Sequence, residues 1–363
     1  MKKKINDVCK IIAEKINSDL LNSSNYISTE NMLPNFGGIC SASSLPKGNV
    51  TSFIVNDILL SNIRPYFKKI WFSKFDGGCS NDVLVLRANN NIIMNKYLFY
   101  SLTNDNFINY YVASCKGTKM PRGNKDALLD WQINVPSLSE QHHIVNTIGS
   151  IDDLIENYQK QADKICDILK QSLNKYNDYI AIADYNPNII KSGINNFDNE
   201  KVYLDTSSIN NVNKISSGEK VLFNKRPSRA NMQPVCNSIW FAKMKDSNKI
   251  LIITDKDSDI IENNILSTGF LGIKSSNKLP LSFLTSVIIS DQFRTQRDLN
   301  SVGTTMAGIN NETFSKILIP KLSEEEIKKY DNKYSNLIYR LSYLRQEIKL
   351  LLNIKDKLLS KYF

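Results

Sequence analysis

The chain has 363 residues, is 42% hydrophobic and 23% charged, and carries a net charge of +10. That length suggests two domains with a core each, the composition excludes global disorder, and the basic excess points to a polyanion partner. No apolar run is long enough to span a bilayer, Met1-Lys-Lys-Lys4 is followed by no apolar secretory segment, and six cysteines stand singly without a C-x-x-C pair. A zinc cluster or disulfide framework is therefore unsupported, and a reducing cytoplasm without membrane attachment is the expected setting.

In chain order, Met1 to about Leu138 reads as mixed α/β. Ile5–Ile16 suits a short helix, and β-favouring runs follow at Thr51–Ile63, Ile70–Phe75 and Asp82–Leu86, punctuated by Gly77-Gly78. Tyr97–Leu102 with Phe107–Val112 predicts helix with an aromatic face, read as core packing. A strand over Gln132–Val135 leads through Pro136 into a long helix that Ser139, Glu140 and Gln141 open.

That helix runs to about Ile180. Ile144, Ile148, Ile151, Ile155, Tyr158, Ala162, Ile165, Leu169, Ser172 and Tyr176 alternate steps of four and three, a period of about 3.5 that belongs to a helix packed along another helix. About forty residues at ~1.5 Å each make a rod of about 60 Å. Asp184-Tyr-Asn-Pro-Asn188 and Ser192-Gly193 have linker chemistry, with Pro187 barring helix continuation. In the second block strands are expected at Val221–Phe223, Ile239–Ala242, Lys249–Thr254 and Ile317–Ile319, and a helix at Leu281–Phe293. Ser323 then opens a second long helix, whose seam is Ile327, Tyr330, Tyr334, Leu337, Leu341, Leu344, Ile348, Leu351, Lys355, Leu358 and Tyr362; only Lys355 breaks it. Mutual antiparallel packing of the two helices accounts for both seams; the alternative, that each helix covers its own neighbouring domain, stays open.

The two halves repeat. Tyr26-Ile-Ser-Thr29 returns as Tyr203-Leu-Asp-Thr206, Ile63-Arg-Pro65 as Lys225-Arg-Pro227, and Ile70-Trp-Phe-Ser-Lys74 as Ile239-Trp-Phe-Ala-Lys243. Gly117-Thr-Lys-Met120 returns as Gly303-Thr-Thr-Met306, and Val135-Pro-Ser-Leu-Ser-Glu140 as Ile319-Pro-Lys-Leu-Ser-Glu324. The matches fall in one order, so the chain reads as two copies of domain plus helix.

Catalytic chemistry is not visible. His142 and His143 are the only histidines and are adjacent near a helix start, and there is no G-x-G-x-x-G, no phosphate-cradling loop and no Asn-Pro-Pro-aromatic segment. Phe36-Gly-Gly38 reads as a turn, and Glu326-Ile-Lys328 and Glu347-Ile-Lys349 as solvated helix faces. Base reading needs directional donors: arginine for guanine, Asn or Gln for adenine, with lysine anchoring phosphates. The DNA-binding candidates are Arg64, Lys68, Lys69, Lys74, Lys116, Lys119 and Arg122 in the first half, Arg122 lifted by a Pro121-Arg-Gly-Asn124 turn. In the second they are Lys225, Arg226, Arg229, Asn231 and Gln233, then Arg294, Gln296 and Arg297 beside the Gly303 loop. A solvated surface charge remains the competing reading for each, and for the repeated Arg-Pro pair a structural turn with a buried guanidinium.

The doubled layout, Ser61-Asn-Ile-Arg-Pro-Tyr66, the Gly-Thr-x-Met loops, Pro-x-Leu-Ser-Glu before each long helix, Gln141 and Ile151-Asp152 together resemble the specificity (S) subunit of Type I restriction–modification systems. The resemblance implies an α+β fold. Two mixed α/β target recognition domains, 1–138 and 195–322, alternate with long helices at 139–180 and 323–363, with a linker at 181–194. The helices would form an antiparallel coiled coil, giving the chain a pseudo-twofold internal repeat. It further implies that each domain reads half of a bipartite, asymmetric double-stranded DNA target, and that the coil sets the spacing and docks modification (methyltransferase) subunits. The chain itself would be non-catalytic and hold no cofactor. S-adenosylmethionine would sit on the modification subunits, and ATP and Mg in a complex that also holds restriction (translocase–nuclease) subunits. Glu324-Glu-Glu326 departs from Glu140-Gln141, so the two helices need not dock partners equivalently. Two other readings stay open: the specificity subunit of a related system with a fused methyltransferase–nuclease partner, and a coiled-coil scaffold whose basic charge is incidental.

Overall fold

Ile58-Leu59-Leu60-Ser61 and Ser238-Ile-Trp-Phe-Ala242 are buried along their whole length, the pattern of strands covered on both faces. Each is the inner strand of one of two matching units in a computed structural model that describes residues 1–117, 119–216, 218–303 and 307–363. One unit comprises Met1–Leu154 with Leu351–Phe363, the other Ile155–Leu350.

In the first unit one four-stranded antiparallel sheet runs Cys9–Ile11, Val83–Ala88, Ile58–Ser61, Ile70–Phe72. A second runs Lys15–Asn17, Asn49–Phe53, Gly77–Cys79, Tyr26–Ile27, the last pair parallel. Alternation along Ile58–Ser61 divides the core. Ile58 and Leu60 face helices Asn95–Leu102 and Asp105–Ala113, whose Tyr97, Tyr100, Phe107 and Tyr111 are fully buried. Leu59 faces the second sheet through Phe53, Ile27 and Met32.

The second unit repeats this. One sheet runs Asn188–Ile189, Phe270–Lys274, Ser238–Ala242, Ile250–Ile253. The other runs Glu219–Val221, Lys201–Leu204, Asn264–Ser267, Ala230–Met232, with Lys201–Leu204 parallel to Asn264–Ser267. Ile239 and Phe241 face the helices, while Trp240 and Ala242 face the other way. The expected helix at Leu281–Phe293 is two, Leu281–Ile289 and Asp291–Leu299, because the Ser290 hydroxyl accepts from Phe293 N–H and caps the second. The expected helix at Ile5–Ile16 shrinks to Ile5–Val8, its remainder being claimed by strands Cys9–Ile11 and Lys15–Asn17.

The long helices span Leu138–Gln171 and Glu324–Tyr362. The first is opened by Ser137, not Ser139. Ser137 N–H and Oγ reach Glu140 Oε2 at 3.0 and 2.9 Å, and Glu140 N–H returns to Ser137 Oγ at 3.3 Å. Ser323 and Glu326 build the same capping box at 2.8, 2.8 and 3.3 Å. Those bonds hold both carboxyls below the usual glutamate range. The first helix stops short of Ile180: Leu173 and Asn174 N–H bond three residues back, tightening the last turn, and Tyr179–Ala181 pairs with Leu318–Pro320. The stretch read as linker is thus built into the second unit, with Ile182 N–H on Ile317 O at 2.8 Å and buried Tyr185 bonded to Pro320 O at 3.1 Å.

Within each unit the two helices run antiparallel. In the second, Gln161 Oε1 accepts from Arg340 at 2.8 Å and Ser172 meets Tyr330; in the first, Asp152 meets Lys355 at 2.6 Å. Ile144, Ile148, Ile155, Ile165, Leu169, Tyr334, Leu341, Leu344 and Leu351 are buried, and Ile151, Tyr158, Leu337, Ile348 and Leu358 half-buried. The seams are not separate from the domain cores. Ile144, Ile148 and Leu359 join the first unit's cluster, and Ile165, Leu169, Leu341 and Leu344 the second's.

Hydrogen bonds correct the register of the repeat. Tyr26 and Tyr203 do occupy matching parallel pairs, opposite Gly78 and Ile265. Ile239-Trp-Phe-Ala242, however, matches Ile58-Leu-Leu-Ser61, not Ile70-Trp-Phe-Ser73: Ile58 pairs with Leu86 and Phe72 as Ile239 pairs with Ile273 and Ile252. The two Ile-Trp-Phe strings suit any buried strand, so composition does not tell an edge from a centre. Likewise Trp131 O, Ile5 N–H and Ser137 match Ile317 O, Ile182 N–H and Ser323, which moves the Pro-x-Leu-Ser-Glu alignment by two positions.

Candidate nucleic-acid interface

In the first unit the chain leaves the inner strand at Ser61 and meets the 116–123 segment. Ile63 pairs with Arg122, and Arg122 with Lys116, in antiparallel bridges. Arg64 N–H donates to Pro121 O (2.8 Å) and Gly123 N–H to Asn62 O (2.9 Å). Arg64 then takes a left-handed conformation (φ 49°), Pro65–Phe67 makes one tight turn, and Lys68 is left-handed again (φ 53°). The turn is clamped from behind: Asn35 and Phe36 N–H donate to Phe67 O and Lys68 O, each at 2.9 Å. Phe36 therefore belongs to a turn, as its neighbouring glycines suggested, but one docked against the basic corner.

The corner brings some candidates together and uses up others. Arg64, Lys116 and Lys119 are exposed and make no side-chain hydrogen bond or ion pair among the described residues. Arg122 is exposed and pairs with Asp82 at 3.0 Å, Lys68 pairs with Asp105 at 2.6 Å, and Lys74 is exposed. Lys69 Nζ donates to Thr29 O at 2.6 Å and lies 5.7 Å from the Phe67 ring centre; burial lowers its pKa. The sequence reading missed Tyr66 and Phe67, 48% and 39% exposed with ring centres 4.7 Å apart, which give this basic edge an apolar face. Aromatic residues between Arg64 and Lys68 were the available signal.

In the second unit the candidates scatter. Lys225 and Arg229 are exposed and without side-chain partners among the described residues, and Asn231 is half-buried. Arg226 is structural: its guanidinium lies 4.0 Å over the Phe223 ring and donates to Phe223 O and Ala230 O at 2.5 and 3.2 Å. The Gln233 amide donates to Ile261 O at 3.1 Å, and Gln296 is bonded both ways to Leu318, each at 2.8 Å. Arg294 is exposed beside Asp291 at 3.1 Å. Arg297 is a correction to the surface reading. It is 3% exposed, pairs with Asp298 at 2.7 Å and donates to Ser247 O. It stands where the first unit has buried Tyr111, the nine-residue helices capped at Asn104 and Ser290 placing both seven residues on from the cap.

The true counterpart of the Arg64 corner lies elsewhere. Met244 pairs with Gly308 and Gly308 with Val302; Lys245 N–H donates to Ala307 O (3.0 Å) and Ile309 N–H to Lys243 O (2.9 Å). Asn62, Ile63, Arg64, Lys116 and Arg122 are thereby matched by Lys243, Met244, Lys245, Val302 and Gly308. Lys243 is half-buried, its Nζ on Thr268 O at 3.0 Å and its pKa lowered by burial; Lys245 is exposed. Gly117 and Gly303 both take positive φ, 92° and 122°, while Thr118, Thr304, Thr305 and Met306 of the Gly-Thr-x-Met loops lie outside the described residues.

No helix of the described residues is long and apolar enough to cross a membrane. Comparison with known proteins agrees with the doubled architecture. A solved structure of a Type I restriction–modification system S subunit from M. genitalium aligns over 100% of this chain and 96% of that one, with TM-score 0.51 and 16% identity, and so shares its fold. The Type I restriction enzyme EcoDI specificity subunit of Escherichia coli is 28% identical over 161 residues, 42% of this chain and 35% of that relative's length. Residues 1–167, which include the Arg64 corner and the first capping box, match the model of the Type I restriction modification DNA specificity domain. The similarity to that domain is confined to the first 167 residues, a little under half of the chain, and the chain spans about a third of the length of the curated relative it matches.

Proposed function

We propose that this chain is the sequence-reading subunit of a Type I restriction–modification complex and performs no chemistry itself. Each unit reads one half of a bipartite, asymmetric duplex target, and the long helices set the half-site spacing and dock methyltransferase subunits. A rod of about 60 Å is under two turns of B-DNA at ~34–36 Å per turn, so two half-sites on one face of a duplex fit it. S-adenosylmethionine belongs on the modification subunits; ATP and Mg belong on restriction subunits where these join.

The observation that carries this reading is the recurrence, in a matched specificity domain and again in the second unit, of one hydrogen-bonded corner with different side chains. A common frame with divergent exposed residues is what two readers of unlike half-sites need. The test is adenine methylation across the genome of cells expressing the methyltransferase encoded beside this chain, with and without the chain. A split motif present only with the chain supports the reading, and replacing residues 1–138 then changes one block alone. Methylation indifferent to the chain, together with binding that is insensitive to salt, would instead mark a scaffold, since phosphate neutralisation makes affinity fall steeply with salt.

A further inference from the structure

We infer that the corner after the inner strand is the base-reading corner of both units, with unequal chemistry: Arg64 grips a guanine in the first half-site, while Lys245 anchors a phosphate in the second. The inference rests on the DNA-reading function proposed above and adds the residue and the base.

The frame is the same at both places. Asn62–Arg64 and Lys243–Lys245 make equivalent bonds to 121–123 and 307–309 and leave the inner strand at equivalent positions, Ser61 and Ala242. Asn62 N–H is fixed on Asp82 O at 2.8 Å and Lys243 N–H on Gly269 O at 2.9 Å. The hydrogen-bonded frame is thus shared, while the residues it carries differ in side chain and in local backbone: Arg64 is left-handed (φ 49°), and in the second unit the positive φ falls one residue later, at Asp246 (59°).

Arg64 has the properties of a contact residue. Its left-handed backbone is one that arginine adopts at a cost, and Asn or Gly would adopt more cheaply. Its neighbours Lys68, Lys69 and Arg122 are engaged with Asp105, Thr29 and Asp82, yet the Arg64 guanidinium is exposed and has no partner among the described residues. The Arg64 main chain is held on both sides, N–H donating to Pro121 O at 2.8 Å and C=O accepting from Phe67 N–H at 3.0 Å, which suits a two-point contact that a mobile root would blur. Exposed Tyr66 and Phe67 beside it offer apolar surface, as exposed Met244 and Val302 do beside Lys245, so what separates the two corners is the guanidinium fork, which can make a two-point base contact. Lys245 is a point charge without a fork, flanked by exposed Met244 and Val302, 50% and 62%, with Gly308 where the first unit has Arg122. It neutralises a phosphate and carries no two-point base contact.

The experiment uses the full chain with its methyltransferase and reads the methylated motif. The intact chain giving no split motif would remove the underlying function, whatever Arg64 does. Given a split motif, Arg64→Lys keeps the charge, removes the fork and is expected to relax one G·C position in a single block by about tenfold or more. Lys245→Ala is expected to lower methylation at all sites, leave every position as selective as before and reduce the salt slope of binding by about one. Circular dichroism and complex assembly of both variants exclude misfolding, and Arg64→Gln gives a second fork-free variant at the same position. A motif unchanged in both Arg64 variants would overturn the inference, as would Lys245→Ala relaxing a defined position.

Discussion

Trp240 and Gly272 face each other across neighbouring strands of the second unit, at the place where the first unit has Leu59 opposite Val85. A large residue against none replaces two of middle size. Trp240 is fully buried and its indole N–H donates to Ser238 Oγ at 2.8 Å. A Cβ at position 272 would lie 2.5 Å from the Trp240 ring, within the core of a sheet that has little room to shift. Gly272→Val is expected to destabilise the second unit by about 1–3 kcal/mol or more through overpacking. Trp240→Leu alone leaves a cavity, and the pair together restores the first unit's arrangement. Urea denaturation of the four species should show a coupling of at least ~1 kcal/mol favouring the double variant; additive costs would show that the two sites do not share one volume.

Lys355, the one charged residue in the second seam, lies 2.6 Å from Asp152, which also accepts from buried Tyr100 at 2.7 Å. Burial, then the Asp152 charge, raises the Tyr100 hydroxyl above its usual range, so it stays a donor. The pair is about a quarter exposed, so solvent weakens it. Lys355→Leu should still cost about 1–2 kcal/mol, because Asp152 is left half-buried without a cation. Asp152→Leu with Lys355→Leu should recover most of that loss. Thermal unfolding decides it, and a double variant no more stable than the weaker single would sink the argument.

How much of this was legible in the chain differs by element. The seams, the two-block division and the inner strands follow from periodicity and apolar runs, because Ile58-Leu-Leu and Ile239-Trp-Phe have few places to go but a core. The repeat was legible too, but its register was not, because Ile-Trp-Phe is compatible with an edge strand or a central one and only hydrogen bonding separates them. That slip concealed Lys245 and drew attention to Arg226, whose guanidinium is occupied by Phe223. Arg297 was misread for a related reason: a residue in a charged helix looks exposed until its counterpart, Tyr111, is seen to be buried. Gln141 could be placed at a helix start, but its function there was invisible locally, since its partners are near Met94.

Gln141 is 0% exposed and ties the start of the first long helix to the preceding fold. Its carbonyl accepts from Met94 N–H at 2.9 Å, and its amide donates to Ile92 O and Pro136 O at 3.1 and 3.0 Å. Truncation takes the partner from three half-buried main-chain groups. Gln141→Ala is expected to cost about 2–3 kcal/mol, against about 1 kcal/mol for the loss of the cap in Ser137→Ala. Chemical denaturation of both variants ranks them, and equal losses would mean that water replaces the glutamine.

Asp257 and Arg345 form the most deeply buried ion pair among the described residues, at 2.6 Å with side chains 1% and 8% exposed. Arg345 also donates to Ile252 O at 2.7 Å, and Ser342 Oγ donates to Asp257 at 2.7 Å, so the pair fastens the second long helix to the sheet within its unit. Burial by itself would raise the Asp257 carboxyl, but the Arg345 charge and the bonds from Arg345, Thr254 N–H and Ser342 outweigh it and bring it from 3.8 to about 2. A carboxyl lowered by folding stabilises the fold above its unfolded pKa and loses that contribution as pH falls through its folded value. The contribution is about 2 kcal/mol, complete above about pH 5, about half gone by pH 3 and lost below about pH 2. Asp257→Asn removes it at every pH and strands a buried guanidinium. The difference in urea stability between the native chain and Asp257→Asn should therefore be flat from pH 8 to pH 5 and narrow by about 1 kcal/mol at pH 3. A difference that stays constant down to pH 3 would mean that folding leaves the Asp257 pKa unshifted, and one that grows as pH falls from 8 would mean that the carboxyl is neutral in the folded unit.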